Sequence, residues 1–434
     1  MEALTPLQRD HEMKQRLGRL TGFLLVGIGL TLGACQPGMA TETPPASLPP
    51  VGEVSQTTPT VPSGGPGYQI RWSFRTEGAV WGAPAIGDGA VYFGSDDHSL
   101  YARDAQSGEP RWEFTTQGLV RSRPALADGL AYIASDDGYL YAVDAQDGQL
   151  AWRTNVGNFL EAEERESPGT NPDPSGFDTL QSSPVVVDGQ VFVGSLDGNV
   201  YALAADSGDI TWRFATGQRV RATPAVEDGI VYIGSWDGSV YALEAQTGRA
   251  RWATPIGGQV QTTALAADGR VYSASRKASV VALDAQTGEI LWEYDYGSNM
   301  WVESSPVLVE GTVYIGSSGN MYVLGLDRQT GALRVSYWGS SVFWSTPAVV
   351  NATLYIGGIA QRGYSGGGLL ALEIPPGATG ATEPYLRFGW ILPVTETLMP
   401  DGEWHGVASS PVVVDDMVYF GGLDGVFYAV DLEP

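Results

Sequence analysis

Residues 221–252, RATPAVEDGIVYIGSWDGSVYALEAQTGRARW, contain one complete copy of the pattern that decides the fold. Short runs of Val, Ile, Tyr and Leu are separated by two Asp-Gly pairs and one Thr-Gly pair. Branched and aromatic residues favour strands, and Asp-Gly pairs tolerate the positive φ angles of tight hairpin turns. The stretch therefore predicts four short antiparallel strands joined by hairpins.

This pattern recurs along the chain with a period of about 40 residues. Each copy opens on a repeat proline, replaced once by alanine: Pro84, Pro124, Pro184, Pro224, Ala264, Pro306, Pro347 and Pro411. The steps between these positions are 40, 60, 40, 40, 42, 41 and 64 residues, which one unit with two insertions explains. Four-stranded units of this length are typical of β-propeller blades. The sequence predicts an all-β propeller with eight blades.

The two ends of the repeat region complement each other. The last copy has only three strands, whereas residues 68–74, YQIRWSF, form a strand with no partner before the first copy. The 23 residues from Pro411 to Pro434 and the 16 from Tyr68 to Pro84 together make almost one period. We expect the N-terminal strand to complete the eighth blade, because such closure removes exposed sheet edges.

The third turn and fourth strand carry a more specific string, as in AVDAQDGQLAW at 142–152 and ALDAQTGEILW at 282–292. This string resembles the tryptophan-docking motif of pyrroloquinoline-quinone (PQQ) repeat propellers, and the resemblance covers residues 68–434. In that family the tryptophan packs on the neighbouring blade. The resemblance implies this structural role for Trp72, Trp112, Trp152, Trp212, Trp252 and Trp292.

Two copies depart from the motif. Residues 325–335, GLDRQTGALRV, place Val335 at the tryptophan position, and residues 371–390 blur the register before Trp390. We expect these blades to be less regular. The blade that lacks its tryptophan, interpreted as the seventh, is a candidate edge to which a partner strand could add.

The N-terminal region reads as an export and anchoring signal. Basic residues precede the apolar run LTGFLLVGIGLTLGA at 20–34, and Cys35, the only cysteine, follows it. This junction resembles a bacterial lipobox, which implies a signal peptide at 1–34 and lipidation of Cys35; an ordinary secretory signal is the alternative. Met13 could be the true start. Residues 35–67 are rich in Pro, Thr and Ser, and predict a disordered tether.

These predictions place the folded domain outside the cytoplasm, tied to a membrane by lipid. In a host with two membranes we expect the periplasmic face of the outer membrane, and otherwise the outer face of the cytoplasmic membrane. Stable anchoring needs two or more acyl chains, which a lipidated N-terminal cysteine supplies.

Composition argues against several function classes. Acidic residues outnumber basic ones by 49 to 24, a net charge of −25, which disfavours nucleic acid and anionic membrane surfaces as partners. One cysteine excludes an internal disulfide or a thiolate zinc site, and three histidines disfavour a multi-histidine metal site. No catalytic residue, metal or cofactor is predicted.

The family resemblance leaves two kinds of function. PQQ-dependent dehydrogenases hold the quinone and calcium on the propeller axis and carry adjacent cysteines that this chain lacks. BamB-like lipoproteins are non-catalytic scaffolds of outer-membrane β-barrel assembly. We expect a monomeric, protein-binding scaffold of the second kind. A surface sensor or small-ligand binder is the alternative, and the dehydrogenase is the least favoured reading.

The candidate binding site lies on one face of the propeller. In each blade, the loop before the first strand and the turn between the second and third strands lie on this face. The irregular loops at 157–180, 359–367 and 391–406 lie on the same face. The residues three before each repeat proline form a ring near the axis: Trp81, Arg121, Gln181, Arg221, Gln261, Glu303, Trp344 and Ala408.

Arg and Trp are favoured interface anchors, so this ring and its neighbours suggest a site for an anionic partner segment. The candidate binding residues are Arg121, Arg123, Arg219, Arg221, Trp301, Glu303, Trp344, Trp404 and His405. The alternative is that the arginines pair locally with acidic residues while the tryptophans fill the axis. Asp-rich turns such as 95–97 are interpreted as hairpin residues rather than calcium ligands.

Overall fold

The computed structural model describes residues 64–65, 67–157, 182–277, 279–296, 302–318, 321–361, 366–376, 385–398 and 404–432. The signal-peptide prediction and Cys35 lie outside these residues, as does the tether apart from its last few positions. No helix in the described part of the chain has the length and apolar character that crossing a membrane requires.

The strands group into eight antiparallel sheets, which are the eight predicted blades. The first described strands are β1 (Gly64–Gly65) and β2 (Tyr68–Arg75). Blade 1 contains β3 (Ala85–Gly87), β4 (Ala90–Gly94), β5 (Ser99–Asp104) and β6 (Pro110–Thr115). Blade 2 contains β7 (Ala125–Ala127), β8 (Leu130–Ala134), β9 (Tyr139–Asp144) and β10 (Leu150–Asn155). Blade 3 contains β11 (Val185–Val187), β12 (Gln190–Gly194), β13 (Asn199–Ala204) and β14 (Ile210–Ala215).

The next three blades repeat this order of one short and three longer strands. Blade 4 contains β15 (Ala225–Glu227), β16 (Ile230–Gly234), β17 (Ser239–Glu244) and β18 (Ala250–Pro255). Blade 5 contains β19 (Leu265–Ala267), β20 (Arg270–Ser275), β21 (Ser279–Asp284) and β22 (Ile290–Asp295). Blade 6 contains β23 (Val307–Val309), β24 (Thr312–Gly316), β25 (Tyr322–Asp327) and β26 (Leu333–Trp338).

The last two blades carry additions. Blade 7 contains β27 (Ala348–Val350), β28 (Thr353–Gln361), β29 (Gly368–Glu373) and β30 (Arg387–Pro393), and β31 (Trp404–Gly406) pairs with the end of β28. Blade 8 contains β32 (Val412–Val414), β33 (Met417–Gly421) and β34 (Val426–Leu432), followed in the sheet by β2 and β1.

The predicted closure of the ring is confirmed. β2 pairs with β34 so that Trp72 lies opposite Ala429 and Ser73 opposite Tyr428. The strand nearest the N-terminus of the propeller therefore supplies the fourth strand of the last blade, and one sheet joins both ends of the repeat region.

The hairpins use the conformation that their sequence favours. In the turn between β3 and β4, Asp88 and Gly89 have φ angles of 50° and 67°, and the same pair recurs in blades 2 to 5. In blades 1 to 4 the second and third strands are mostly buried, whereas most of the fourth strand alternates exposed and half-buried residues, as in β10. The blade cores therefore lie between neighbouring sheets.

Neighbouring blades are joined by a repeated indole contact. The Trp152 indole N–H donates to the carbonyl oxygen of Ala205 in the next blade at 2.9 Å, and the Tyr132 hydroxyl donates to the same oxygen at 3.1 Å. A side chain at Gly208 would collide with the Trp152 ring, so only glycine fits there. Equivalent indole donors are Trp72, Trp112, Trp212, Trp252 and Trp292.

The structure corrects the numbering of the blade that lacks its tryptophan. Val335 lies in β26, so the substituted blade is the sixth and not the seventh. Blade 7 keeps a tryptophan in the docking register, because Trp390 pairs with Ala371 as Trp112 pairs with Ala102. The centroids of the Trp390 and Tyr68 rings are 4.8 Å apart. The longer stretch between strands hid this position in the sequence.

The outer edge of blade 6 is partly covered by the chain itself. The N–H of Leu386 donates to the carbonyl oxygen of Ser336 at 2.9 Å, and Ser336 forms a parallel bridge with Tyr385. A segment of blade 7 therefore occupies part of the edge that the sequence suggested for a partner strand.

The aspartates of the turns between second and third strands serve the hairpins. One Asp137 carboxylate oxygen accepts the N–H of Tyr139 at 3.1 Å. The other accepts the Tyr141 hydroxyl at 2.6 Å and the N–H of Gln117, in the loop that enters the blade, at 3.0 Å. Asp97 makes the same bonds in blade 1. This agrees with the hairpin interpretation of the Asp-rich turns.

We predict that Trp292→Ala lowers the free energy of unfolding by about 3–5 kcal/mol, because it removes a buried ring and its bond to the Arg328 carbonyl. The matched control is Trp338→Ala, which removes a ring that is 69% exposed and should change stability by about 0.5 kcal/mol or less. Urea unfolding followed by fluorescence measures both. Equal effects of the two substitutions would contradict the docking role.

Candidate axial binding site

The loops that enter the blades and the turns between second and third strands meet on one face, here called the upper face. The N–H of Asp96, in such a turn, donates to the carbonyl oxygen of Ala79, in an entering loop, at 3.0 Å. Trp236 and Arg219 are joined in the same way at 2.9 Å. Each turn is thereby fixed against its entering loop, so side chains from both line the axis.

One cluster on the upper face pairs a buried arginine with an aspartate. The Arg121 guanidinium donates two bonds to the Asp96 carboxylate, at 2.7 and 2.8 Å, and the Trp81 indole N–H donates to it at 3.0 Å. Burial alone disfavours the charged guanidinium and lowers its pKa, but the hydrogen bonds that Arg121 donates to Asp96 raise the pKa of Arg121 above its ordinary value. The charge of Arg121 is therefore neutralised within the protein.

A second cluster brings two arginines close to one tryptophan ring. The guanidinium carbons of Arg221 and Arg276 lie 4.3 and 5.5 Å from the ring centroid of Trp236, which is the range of cation–π attraction. Arg276 also pairs with Glu303 at 2.6 Å, and both side chains are less than 10% exposed. This cluster spans blades 4, 5 and 6.

The remaining side of the upper face is apolar. Trp81, Ile359 and Leu423 form a buried cluster, and Trp344, Trp404 and Ala408 pack against it. His405 is only 7% exposed, and burial lowers the pKa of its imidazole. Two of the predicted binding residues, Trp344 and Trp404, thus contribute to a packed patch formed by blades 7, 8 and 1.

The other two predicted arginines face separate cavities. Arg219 lines a surface cavity of about 400 Å³ together with Gln218, Asp197 and Trp236. Arg123 lines a cavity of about 950 Å³ that lies on the axis and is bordered by residues of all eight blades. The four arginines of blades 2 and 4 therefore do not form one basic cluster. The local-pairing alternative describes Arg121, but Arg123 has no carboxylate partner among the described residues.

Several predicted positions lie outside the described residues: Trp301, Gln181, most of the loop at 157–180, residues 362–365 and residues 399–403. Within the described ranges, no group of three or more His, Cys, Asp or Glu side chains is arranged to hold a metal ion.

Sequence reasoning missed the second source of axial side chains. Asp96, Trp236 and Arg276 each follow the serine that opens the turn between second and third strands. The signal was present, because these positions recur with the same period as the ring before the repeat prolines. Their polar partners could not be assigned, since the sequence does not show which turn contacts which entering loop.

Comparison with known proteins gives a consistent family and fold. A family model described as outer membrane protein assembly factor BamB matches residues 66–168, 164–254 and 196–378. A comparison with curated protein sequences finds no match.

Among solved structures, BamB from Moraxella catarrhalis is 21% identical with a TM-score of 0.56, covering 67% of this chain and 86% of its own. The quinohemoprotein alcohol dehydrogenase of Comamonas testosteroni is 15% identical with a TM-score of 0.62, covering 84% of this chain and 76% of its own. The computationally designed protein Ika8 is 17% identical with a TM-score of 0.62, covering 82% of this chain and 96% of its own. At these identities the structures share the fold alone.

We predict that Asp96→Ala lowers the free energy of unfolding by about 3–5 kcal/mol, because it removes the carboxylate that accepts two hydrogen bonds from the buried Arg121 guanidinium. Adding Arg121→Met to that variant should restore part of the loss. Urea unfolding of the wild type, the two single variants and the double variant measures the coupling. Strictly additive effects would show that the two side chains are not energetically linked.

Proposed function

Because this chain belongs to the family of the outer membrane protein assembly factor BamB, we propose that it is a non-catalytic scaffold that binds a protein partner in the cell envelope. The propeller supplies a rigid body, and its upper face supplies the contact surface. Recognition commonly lies on loops that a rigid scaffold holds in place.

The observation that supports this proposal is the arrangement of the residues around Trp236. Its ring lies within cation–π range of both Arg221 and Arg276, and it also lines the open cavity beside Arg219. An aromatic ring fixed before binding loses little conformational entropy when a partner docks. Trp and Arg side chains are also the residues that most often dominate interface energies. We infer that Arg219 and Trp236 form the anchor of the partner site.

The membrane anchor is a second part of the proposal. We infer that the signal peptide ends at residue 34 and that lipidated Cys35 ties the propeller to a membrane through the Pro-rich segment. The propeller would then lie outside the cytoplasm with its upper face free to meet envelope proteins.

The enzyme alternative has less support from the described residues. The likeness to the quinohemoprotein dehydrogenase extends to the fold, at 15% identity. The aspartates of the upper face that the structure describes are engaged elsewhere: Asp96 binds Arg121 and Trp81, and Asp97 and Asp137 close hairpins. These contacts favour a structural use of the acidic residues and support the scaffold proposal.

We predict that a photo-crosslinking residue at Gln218 captures an envelope protein in intact cells, and that adding Arg219→Glu removes the adduct. Gln218 is exposed and lies beside Arg219 at the cavity. The matched control position is Gln146, also exposed but in a turn between third and fourth strands, on the opposite face. Immunoblotting for adducts of higher mass gives the readout.

Equal capture at Gln218 and Gln146, or capture that survives Arg219→Glu, would refute the upper-face site. Saturable binding of PQQ with calcium, followed by reduction of an electron-accepting dye, would instead assign the protein to the dehydrogenases.

We predict that Cys35→Ser moves the protein from the membrane fraction to the soluble fraction after cell lysis, because it removes the only candidate lipidation residue. A wild-type mass increase matching acyl chains on an N-terminal cysteine should accompany this change. Membrane association that persists in Cys35→Ser at high salt would contradict lipid anchoring.

A further inference from the structure

The cavity on the propeller axis is lined by one level of hydroxyl-bearing side chains and one level of apolar side chains. The residue directly before each repeat proline is Ser or Thr in six of the eight blades, and the six hydroxyl-bearing residues are Ser183, Thr223, Thr263, Ser305, Thr346 and Ser410. All six line the cavity, and so does Arg123, which holds the equivalent place in blade 2. One cation and a band of hydroxyl groups therefore share one level of the axis.

These hydroxyl groups are oriented by bonds between neighbouring blades. The backbone N–H of Arg123 donates to the hydroxyl oxygen of Ser183 at 2.8 Å. The backbone N–H of Ser183 donates to the hydroxyl oxygen of Thr223 at 3.0 Å. The pairs Thr263–Ser305 and Thr346–Ser410 repeat the pattern at 2.9 and 2.8 Å. In each case the hydroxyl oxygen is the acceptor. Its own proton remains available to donate, because a hydroxyl group has one donor as well as acceptor sites.

The charge of Arg123 is not neutralised by the described cavity wall. None of the described residues that line the cavity is acidic, although the whole chain has a net charge of −25. Arg121 also borders the cavity, but Asp96 binds it with two hydrogen bonds. Desolvation by the surrounding protein lowers the pKa of Arg123, and no opposing charge among the described residues offsets this effect. A bound anion would supply that missing charge.

A second band of the cavity is apolar. The apolar side chains that follow the repeat prolines by one or two residues line this part of the cavity wall, for example Ile86, Leu126, Val186 and Val307. At about 3.3 Å per strand residue, this band lies only several ångströms from the hydroxyl band. The volume of about 950 Å³ is within the range of cavities that hold small organic molecules.

We propose that the axial cavity binds a small organic anion, whose carboxylate or phosphate group pairs with Arg123 and the hydroxyl band while its apolar body lies against the branched side chains. Guanidinium and hydroxyl donors match the oxygen acceptors of such groups. This site is separate from the Arg219–Trp236 surface of the proposed scaffold function, and it stands without that function.

The test uses octanoate, octyl phosphate, inorganic phosphate and octan-1-ol as probes in isothermal titration calorimetry with the purified lipid-free propeller at constant ionic strength. We expect saturable binding of octanoate or octyl phosphate, and weaker binding of inorganic phosphate and of the neutral alcohol. Comparing the two amphipathic anions identifies the preferred head group.

Arg123→Gln should weaken binding of the preferred anion by roughly tenfold or more, since it removes a charged donor. Octan-1-ol binding should be unchanged. The matched control is Arg153→Gln, which removes an exposed arginine from the outer strand β10 and should leave binding as in the wild type. The Arg123 side chain is itself exposed to the cavity, so its variant should keep the melting temperature of the wild type.

Absence of saturable binding by either amphipathic anion would overturn the proposal. So would equal affinity in the wild type and Arg123→Gln, or equal losses in Arg123→Gln and Arg153→Gln. None of these outcomes bears on the crosslinks at Gln218, so failure of this site and failure of the scaffold proposal are distinguishable.

Discussion

Six of the eight interfaces between blades depend on one contact among the described residues, the donation of an indole N–H to a backbone carbonyl of the next blade. A four-stranded sheet of this size leaves both of its apolar faces to be covered by its neighbours. The docked tryptophan fixes how close the next sheet may come, because its ring lies on a glycine that admits no side chain. Trp72 makes this contact to Ala105 at 2.9 Å, so the closing interface is built like those that follow blades 1 to 5.

Closure of the ring by a repeated contact leaves a space at the centre. Eight sheets with three-residue inner strands cannot meet on the axis, and the cavity of about 950 Å³ is the result. The indole contacts between neighbouring blades lie further out than this space. The axis itself carries charged, hydroxyl-bearing and apolar side chains, and the hydroxyl band adds a second set of bonds between blades.

The fold could be predicted almost completely because its information is local and repeated. The period, the Asp-Gly turns and the tryptophan string each identify the same unit, and the count of eight follows. Prediction failed where an insertion displaced a motif, as at Trp390, and the tryptophan-less blade was numbered one too high. The site was less predictable, because pairings such as Arg121–Asp96 and Arg276–Glu303 join residues 25 and 27 positions apart. Residue type alone did not separate Arg121, which Asp96 neutralises, from Arg123, which has no carboxylate partner among the described residues.

Arg121 and Arg123 show how two neighbouring positions on one segment acquire different electrostatic surroundings. They are two residues apart on the same segment and both border the axial cavity, yet Asp96 neutralises Arg121, whereas Arg123 has no carboxylate partner among the described residues. Only Ser122 lies between them, and its buried hydroxyl donates to the carbonyl oxygen of Ala134 at 2.9 Å. This bond fixes the segment to the second strand of its blade. The upper face and the cavity therefore receive their side chains from one rigid segment, while their charges are set by different neighbours.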